Sequence, residues 1–260
     1  MKSTSYVYME TEDEVSIINL NDEKSFNALS HSVLEELFLL LKDADTDKST
    51  KVIIIRGQGK GFSGGHNLKE VQKNKNEEFY QDLMSASSRV MSLPARLNKP
   101  VIAEVEGVAT AAGCQLVAAC DLAYSSFEAK FATPGVNIGL FCHTPLVPVS
   151  RSIAQKHAME MLLLGEMIDA VEAKRFGLIN DAFKSSELHA KVMEKAGIIA
   201  SKSPYVVRTG KKTFYEQLEM KLSDAYLYSS GRMVDNLMAG DANEGIDAFL
   251  NKRDPKWEIS

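Results

Sequence analysis

The sequence predicts an α/β protein whose strands and helices alternate through the first half and whose C-terminal part is helical. Three observations carry this. VIIIRG (Val52 to Gly57) and PVIAEVEG (Pro100 to Gly107) are short β-branched runs of the kind buried on both faces of a sheet. Val33, Leu34, Leu37, Phe38, Leu41 and Ala44 recur at helical spacing between strands. From Ser186 onward the chain reads as three or four helices with no strand signal, and strand–helix alternation followed by helices indicates an α/β core with a helical tail.

Taken in order, Val15, Ile17 and Ile18–Leu20 form an early strand, and LNDEKSFNALS is a polar turn region. Ser30 is placed to cap the helix that begins near Val33. DADTDKST ends that helix before the Val52 strand. The polar segment KNKNEE, read as mobile, precedes a helix carrying Phe79, Leu83, Val90 and Met91. Pro94 and Pro100 mark its exit. After the Pro100 strand, ATAAGCQLVAACD is apolar on nearly every side and built of small residues, which predicts a buried, closely packed helix. LAYSS and KFATP are further short strands. From about Thr144 the chain turns helical, with Asp169 and Glu172 as a capping box and Gly177 at the following helix end.

Composition excludes several classes. The net charge is −5, so no basic face for nucleic acid is expected. Cys114, Cys120 and Cys142 are too few and scattered for a disulfide framework or a C-x-x-C site, which points to a reduced compartment. No run of about 18 apolar residues occurs, and MKSTSYVYMETEDEVS has no apolar signal core and is acidic rather than Arg-rich. A cytoplasmic location without membrane attachment is therefore the expectation. Nothing resembles a metal site. His31, His157 and His189 fall on predicted helices and read as surface or helix-end residues, and Cys114 and Cys120 as small core residues.

The segment GKGFSGGHNLKEV, Gly59 to Val71, holds the chemical question. Gly59, Gly61 and Gly64 match G-x-G-x-x-G after a strand. A dinucleotide site, however, needs a second strand within roughly 30 residues, ending in an acid. Here a polar loop and a long helix intervene before Pro100. A Walker loop fails as well, because no Gly-Lys-Ser/Thr follows. Two readings stay open: a tight turn without a ligand, or an oxyanion hole. In the second, Gly64–Gly65 and Ala111–Ala112–Gly113 would meet in space and aim unpaired backbone N–H groups at one oxygen, helped by a helix N-terminus.

GFSGGHNLKEV resembles the F-S-A-G-A-D-L-K-E segment of the crotonase superfamily, the enoyl-CoA hydratase/isomerase family. EVEGVATAAGCQLVAACDLAYSS resembles its second signature, V-x-G-x-A-x-G-G-G-C-E-L-A-x-x-C-D, and the similarity runs from about Val15 to Trp257. The resemblance implies a crotonase (ClpP-like) spiral of ββα units with its acyl-CoA site over residues 1–200. It also implies a helical trimerisation region over residues 201–260, in a homotrimer or dimer of trimers. It implies an acyl-CoA thioester as substrate, with coenzyme A arriving as part of that substrate and no permanently bound cofactor. The thioester carbonyl would be held by the N–H groups of Gly64 and Ala112. Coenzyme A would lie along Lys24, Phe26 and Ala28 and beside Gly65, Asn67 and Leu68, with Phe249 and Lys252 reaching it from the same or a neighbouring subunit.

The departures from the family pattern carry equal weight. Family hydratases use two glutamates that share a water; this chain has Gln115 at the first position and Gly135 at the second. A glutamine can position water but exchanges no proton at neutral pH. General acid–base groups are each worth about 10²–10⁴-fold, so hydratase activity is expected to be weak or absent. A subgroup of the family that shares ATAAGCQLVA, FATPGVNIGLFCHTP and GKKTFYEQL carries the same two replacements. His66 is the candidate side chain in their place, because family decarboxylases carry Gly-His-Asp there and need no general base; Asn67 stands where their Asp would be. A non-catalytic CoA-ester binding protein is the remaining alternative. Asn137, Cys142 and His143 complete the expected substrate wall beside Gly135, and Cys142 and His143, adjacent in sequence, are poorly placed to form a dyad.

Overall fold

The computed structural model describes residues 5–258. Its first strand, β1 (Val7–Glu12), has no apolar pattern in the sequence to mark it. The run VYMETE is mostly polar and half-exposed, because it forms the edge of the sheet and only Val7 is buried. It pairs antiparallel with β2 (Val15–Leu20), in which all residues are buried. Then follow α1 (His31–Thr46), β3 (Val52–Gly57), β4 (Gly61–Ser63), α2 (Leu68–Lys73) and α3 (Glu77–Ser92). The next set is β5 (Val101–Val105), β6 (Val108–Thr110), α4 (Ala112–Ala119), β7 (Leu122–Ser126) and β8 (Lys130–Ala132).

The segment after Thr144 is not wholly helical. Helices α5 (Leu146–Ser152) and α6 (Gln155–Leu164) are followed by β9 (Ile168–Asp169), α7 (Ala170–Phe176), β10 (Asp181–Phe183) and α8 (Ser185–Ala200). The two extra strands have two and three residues, too short for alternation to register as a pattern. Helices α9 (Pro204–Gln217), α10 (Leu222–Leu237) and α11 (Gly240–Leu250) end the chain.

Several local readings hold. Ser30 Oγ accepts the Val33 N–H at the start of α1, and Asp169 accepts the Glu172 N–H at the start of α7. The Glu172 carboxylate turns instead to Arg175, so only half of the expected capping box forms.

Two sheets result. The larger runs β1-β2-β3-β5-β7-β10 and is parallel apart from its first pair; the smaller runs β4-β6-β8-β9. Each β-branched run feeds two cores. Ile18, Ile53, Ile55 and Val101 pack into the main core with α1, α3 and α4, whereas Ile17, Val52, Ile54 and Ile102 pack against α8. That is why these runs show no polar alternation. His189 on α8 is not a plain surface residue: its Nδ1 lies 2.9 Å from Oε2 of the buried Glu104 on β5, pinning α8 to the sheet.

A buried polar cluster fastens α9 to the core. Lys211 Nζ donates to Asp121 Oδ2 at 2.6 Å and to the Lys99 carbonyl at 2.7 Å, and the Tyr215 hydroxyl donates to Asp121 Oδ1 at 2.8 Å. The Lys211 and Asp121 side chains are only 7% and 14% exposed, so the pair is largely withdrawn from water. Removing one member of a buried pair typically costs about 3–5 kcal/mol. Lys211→Met is therefore expected to lower the unfolding free energy by about 3 kcal/mol, since Asp121 keeps Tyr215 and the Val101 N–H. Urea denaturation checks this, and a loss below ~1 kcal/mol would place the clasp among surface pairs.

Candidate active site

The two small-residue turns meet. Thr110 Oγ1 donates to the Gly64 carbonyl at 3.1 Å, joining the turn after β4 to the one before α4. Gly113 lies so close that a Cβ there would stand 2.2 Å from the Ser63 carbonyl oxygen. At Gly65 a Cβ would stand 3.1 Å from the Ala112 nitrogen, and its φ of +90° is one that a side chain disfavours. Ala111 carries positive φ (50°) without being glycine; its own N–H is held by the Ala132 carbonyl at 2.9 Å, and the next residue, Ala112, opens α4.

Each N–H in the glycine turn can be assigned. Gly64 donates to the Phe26 carbonyl at 2.7 Å, and Gly65 to Ser63 Oγ at 3.2 Å. Asn67 N–H points to the Leu29 carbonyl at 3.4 Å. The His66 N–H and the Ala112 N–H have no acceptor among the described residues. The expected donor Gly64 is thus already committed, and the residue two places on carries the open N–H. A G-x-G-x-x-G reading directs attention to glycines; only the geometry of the turn shows that the glycines open the space and a neighbour holds the donor.

The His66 side chain is half-buried. Its Nδ1 lies 3.3 Å from the Leu29 carbonyl and its Nε2 3.5 Å from the buried Ser87 hydroxyl. Because a carbonyl only accepts, Nδ1 carries the proton and Nε2 accepts from Ser87. Burial pushes the His66 pKa below its ordinary 6.5, opposed by the Leu29 bond and the nearby Glu70. Ser87, on α3, was not among the candidate residues.

Gln115 sits on α4 one turn beyond Ala112, 3% exposed, and its amide makes no hydrogen bond among the described residues; Oε1 is fully buried and unpartnered. At Gly135 a Cβ would fall 2.7 Å from the Leu140 carbonyl oxygen and 3.0 Å from Cys142 Sγ. The chain itself fills the place of a second carboxylate. Burial pushes the Cys142 thiol up, which keeps it protonated. His143 is exposed beside the Phe141 ring (centroids 5.3 Å apart), and Asn137 Nδ2 donates to the Gly165 carbonyl at 3.2 Å.

Along the outer edge, Phe26 is 49% exposed and its ring packs against Gly61, with Lys24 exposed in the same turn and Ala28 just buried. Asn67 caps α2, accepting from the Lys69 and Glu70 N–H groups, and Leu68 is 53% exposed beside it. Phe249 is 83% exposed near the end of α11, and Lys252 lies just beyond it. Among the described residues no group of three His, Cys, Asp or Glu is placed to hold a metal, and no helix is long and apolar enough to cross a membrane.

Comparison with known proteins places this geometry. A sequence model described as "Enoyl-CoA hydratase/isomerase" matches residues 10–260. "Enoyl-CoA hydratase domain-containing protein 3, mitochondrial" of Homo sapiens is 46% identical over 246 residues, covering 94% of this chain and 81% of the relative. Its Mus musculus counterpart is 45% identical over 247 residues, covering 95% and 82%. The crystal structure of the human protein superposes with TM-score 0.94 at 45% identity, covering 97% of this chain and 100% of that one. An enoyl-CoA hydratase structure from Mycobacterium smegmatis gives TM-score 0.95 at 39% identity, covering 97% and 99%. The subgroup anticipated from the shared segments is the domain-containing protein 3 type. The cytoplasmic expectation is corrected: these curated relatives are named mitochondrial, and the composition that prompted it does not distinguish two reducing compartments.

The depressed His66 pKa has a sign that can be tested. Below about pH 6.5 the unfolded chain takes up a proton at this histidine that the folded protein refuses, so stability falls with pH from 6.5 downward. NMR titration of ring-labelled histidines should show His66 titrating below 6.5 as the Nδ1–H tautomer, and His66→Gln should flatten the acid side of the stability profile. Titration at or above 6.5 would contradict the assignment.

Proposed function

The chain belongs to the enoyl-CoA hydratase/isomerase family, and on that premise we propose that it binds an acyl-CoA thioester and hydrates an enoyl-CoA poorly or not at all. The thioester oxygen sits between the His66 and Ala112 N–H groups, at the N-terminus of α4. These donors favour the form in which negative charge has moved onto that oxygen, the tetrahedral or enolate state, over the neutral carbonyl. The single observation that carries the loss of hydration is Gln115: a buried, unpartnered amide where family hydratases have a proton-transferring acid. The blocked position at Gly135 supports it.

Coenzyme A lies along the outer edge, against Lys24, Phe26, Ala28, Gly65 and Leu68, with Asn67 serving there as a helix cap. The relatives' names favour a mitochondrial setting. Leu222, Leu227, Met238 and Phe249 on the C-terminal helices are 76–83% exposed. Apolar surface of that extent on residues 201–260 supports a homotrimer or dimer of trimers, in which Phe249 and Lys252 reach a neighbour's coenzyme A.

Decarboxylation of a malonyl-type thioester needs only enolate stabilisation and is the second chemistry such a site allows. The neutral His66 ring, bonded to Leu29, speaks against its gripping the departing carboxylate.

Steady-state assay with crotonyl-CoA is expected to give kcat/KM at least ~10²-fold below that of hydratases with both acids, and Gln115→Glu to raise it by restoring one proton-transfer group. Wild-type turnover equal to theirs would end the reading. Light scattering should find three or six chains per particle, reduced by Leu227→Glu; a wild-type monomer would contradict the assembly.

A further inference from the structure

A cavity of about 1610 Å³ is lined by Gln115, by the C-terminal part of α4 (Val117, Ala118 and Ala119) and by residues of α9 and α10; Gln115 is the residue it shares with the candidate thioester site. The cavity exceeds the roughly 300–1,000 Å³ of pockets that hold drug-sized ligands. Part of its wall is apolar, with Met91, Val117, Val147, Phe214, Leu218 and Met220. Four cations, Arg96, Arg151, Arg208 and Lys212, also line it, beside the acids Asp121, Glu216 and Glu219.

Three contacts put these cations around the C-terminal end of α4, away from Gln115. Lys211 and Tyr215 bind Asp121, just past α4, which brings Arg208 and Lys212 there on the same helix. Ser152 Oγ donates to the Ala118 carbonyl at 3.1 Å, which brings Arg151. The helical turn Pro94–Arg96 packs on α9, which brings Arg96.

The cations are under-compensated. Arg151 and Lys212 have only loose pairs, 3.9 Å from Glu219 and Glu216. Asp121 is committed to Lys211, Tyr215 and the Val101 N–H. Arg96 and the half-buried Arg208 enter none of the ion pairs among the described residues. A chain held by its thioester at Ala112 and threaded past Gln115 would meet both the apolar walls and the guanidinium groups of this cavity.

We propose that the acyl group is a long chain ending in a carboxylate, so that the substrate class is the ω-carboxyacyl (dicarboxylic) thioester of coenzyme A, with Arg208 and Arg96 holding the distal carboxylate. This rests on the reading of the site as an acyl-CoA site. Helical rise places Ala119, the last residue of α4, about 6 Å beyond Gln115, and Asp121 lies two residues further on, so the chain needs on the order of ten carbons to reach the cations. A short diacid cannot span the gap, and a methyl-ended chain makes no use of the guanidinium groups, of which Arg96 is exposed and Arg208 is half-buried over the Tyr205 ring. Planar guanidinium groups suit a carboxylate through paired hydrogen bonds.

Calorimetry on the full-length protein, with dodecanedioyl-CoA, dodecanoyl-CoA, succinyl-CoA and free coenzyme A as probes, tests this. Dodecanedioyl-CoA should bind about tenfold tighter than dodecanoyl-CoA, with the difference shrinking at high salt. Succinyl-CoA should show no such gain. Arg208→Gln and, independently, Arg96→Gln (outside α9) should reduce the difference while leaving dodecanoyl-CoA affinity unchanged. Equal affinities, or a preference that survives both substitutions, overturns the proposal. If free coenzyme A weakens in parallel in the variants, the cluster is a phosphate site and the proposal fails while the acyl-CoA reading stands. If no thioester binds at all, both fail.

Discussion

The close approach of two backbone turns is the constraint on which the rest of this structure depends. Gly113 rests against the Ser63 carbonyl and Gly65 against the Thr110 carbonyl, where a Cβ would fall 2.2 Å and 2.9 Å from the oxygen, closer than a side chain tolerates. The smaller sheet, with β4 and β6 as parallel neighbours, delivers both turns to the same edge. Once they meet, hydrogen bonding among the turn's N–H groups is settled by proximity: Gly64 and Gly65 find acceptors within the protein, and His66 and Ala112 do not. An unpaired donor is costly to bury, so a pair of them at a helix N-terminus marks a place shaped for an incoming oxygen.

What surrounds that place is short of acid–base groups. Gln115 presents an amide without a partner, the Cys142 thiol is held protonated by burial, and the His66 ring is neutral and tied to Leu29 and Ser87. Such a site can polarise a carbonyl but moves protons badly. The relatives at 45–46% identity carry a hydratase domain in their name; family membership fixes the fold and leaves the reaction to these few side chains.

The C-terminal helices connect fold to specificity. Lys211 and Tyr215 bring α9 down on Asp121, which lies just past the helix bearing Gln115. One polar cluster therefore ties α9 to the C-terminal end of α4, while α10 and α11 keep apolar residues exposed. One segment thus both walls the cavity and exposes apolar surface.

The sequence by itself determined the α/β class, the β-branched strands, the caps at Ser30 and Asp169, the buried small-residue helix and the two signature turns, because period, propensity and capping are local properties. It also exposed the missing acids at Gln115 and Gly135, since identity at a motif position needs no coordinates. It could not show the edge strand β1, whose polar pattern follows from its place in the sheet, nor β9 and β10, which are too short to carry a period. It pointed to Gly64 as a donor because glycine is visible in a motif and hydrogen-bond competition is not; Phe26, 38 residues earlier in the chain, takes that N–H. Which N–H stays open, which amide lacks a partner and which cations ring the cavity depend on contacts between distant segments, and only the tertiary structure decides those.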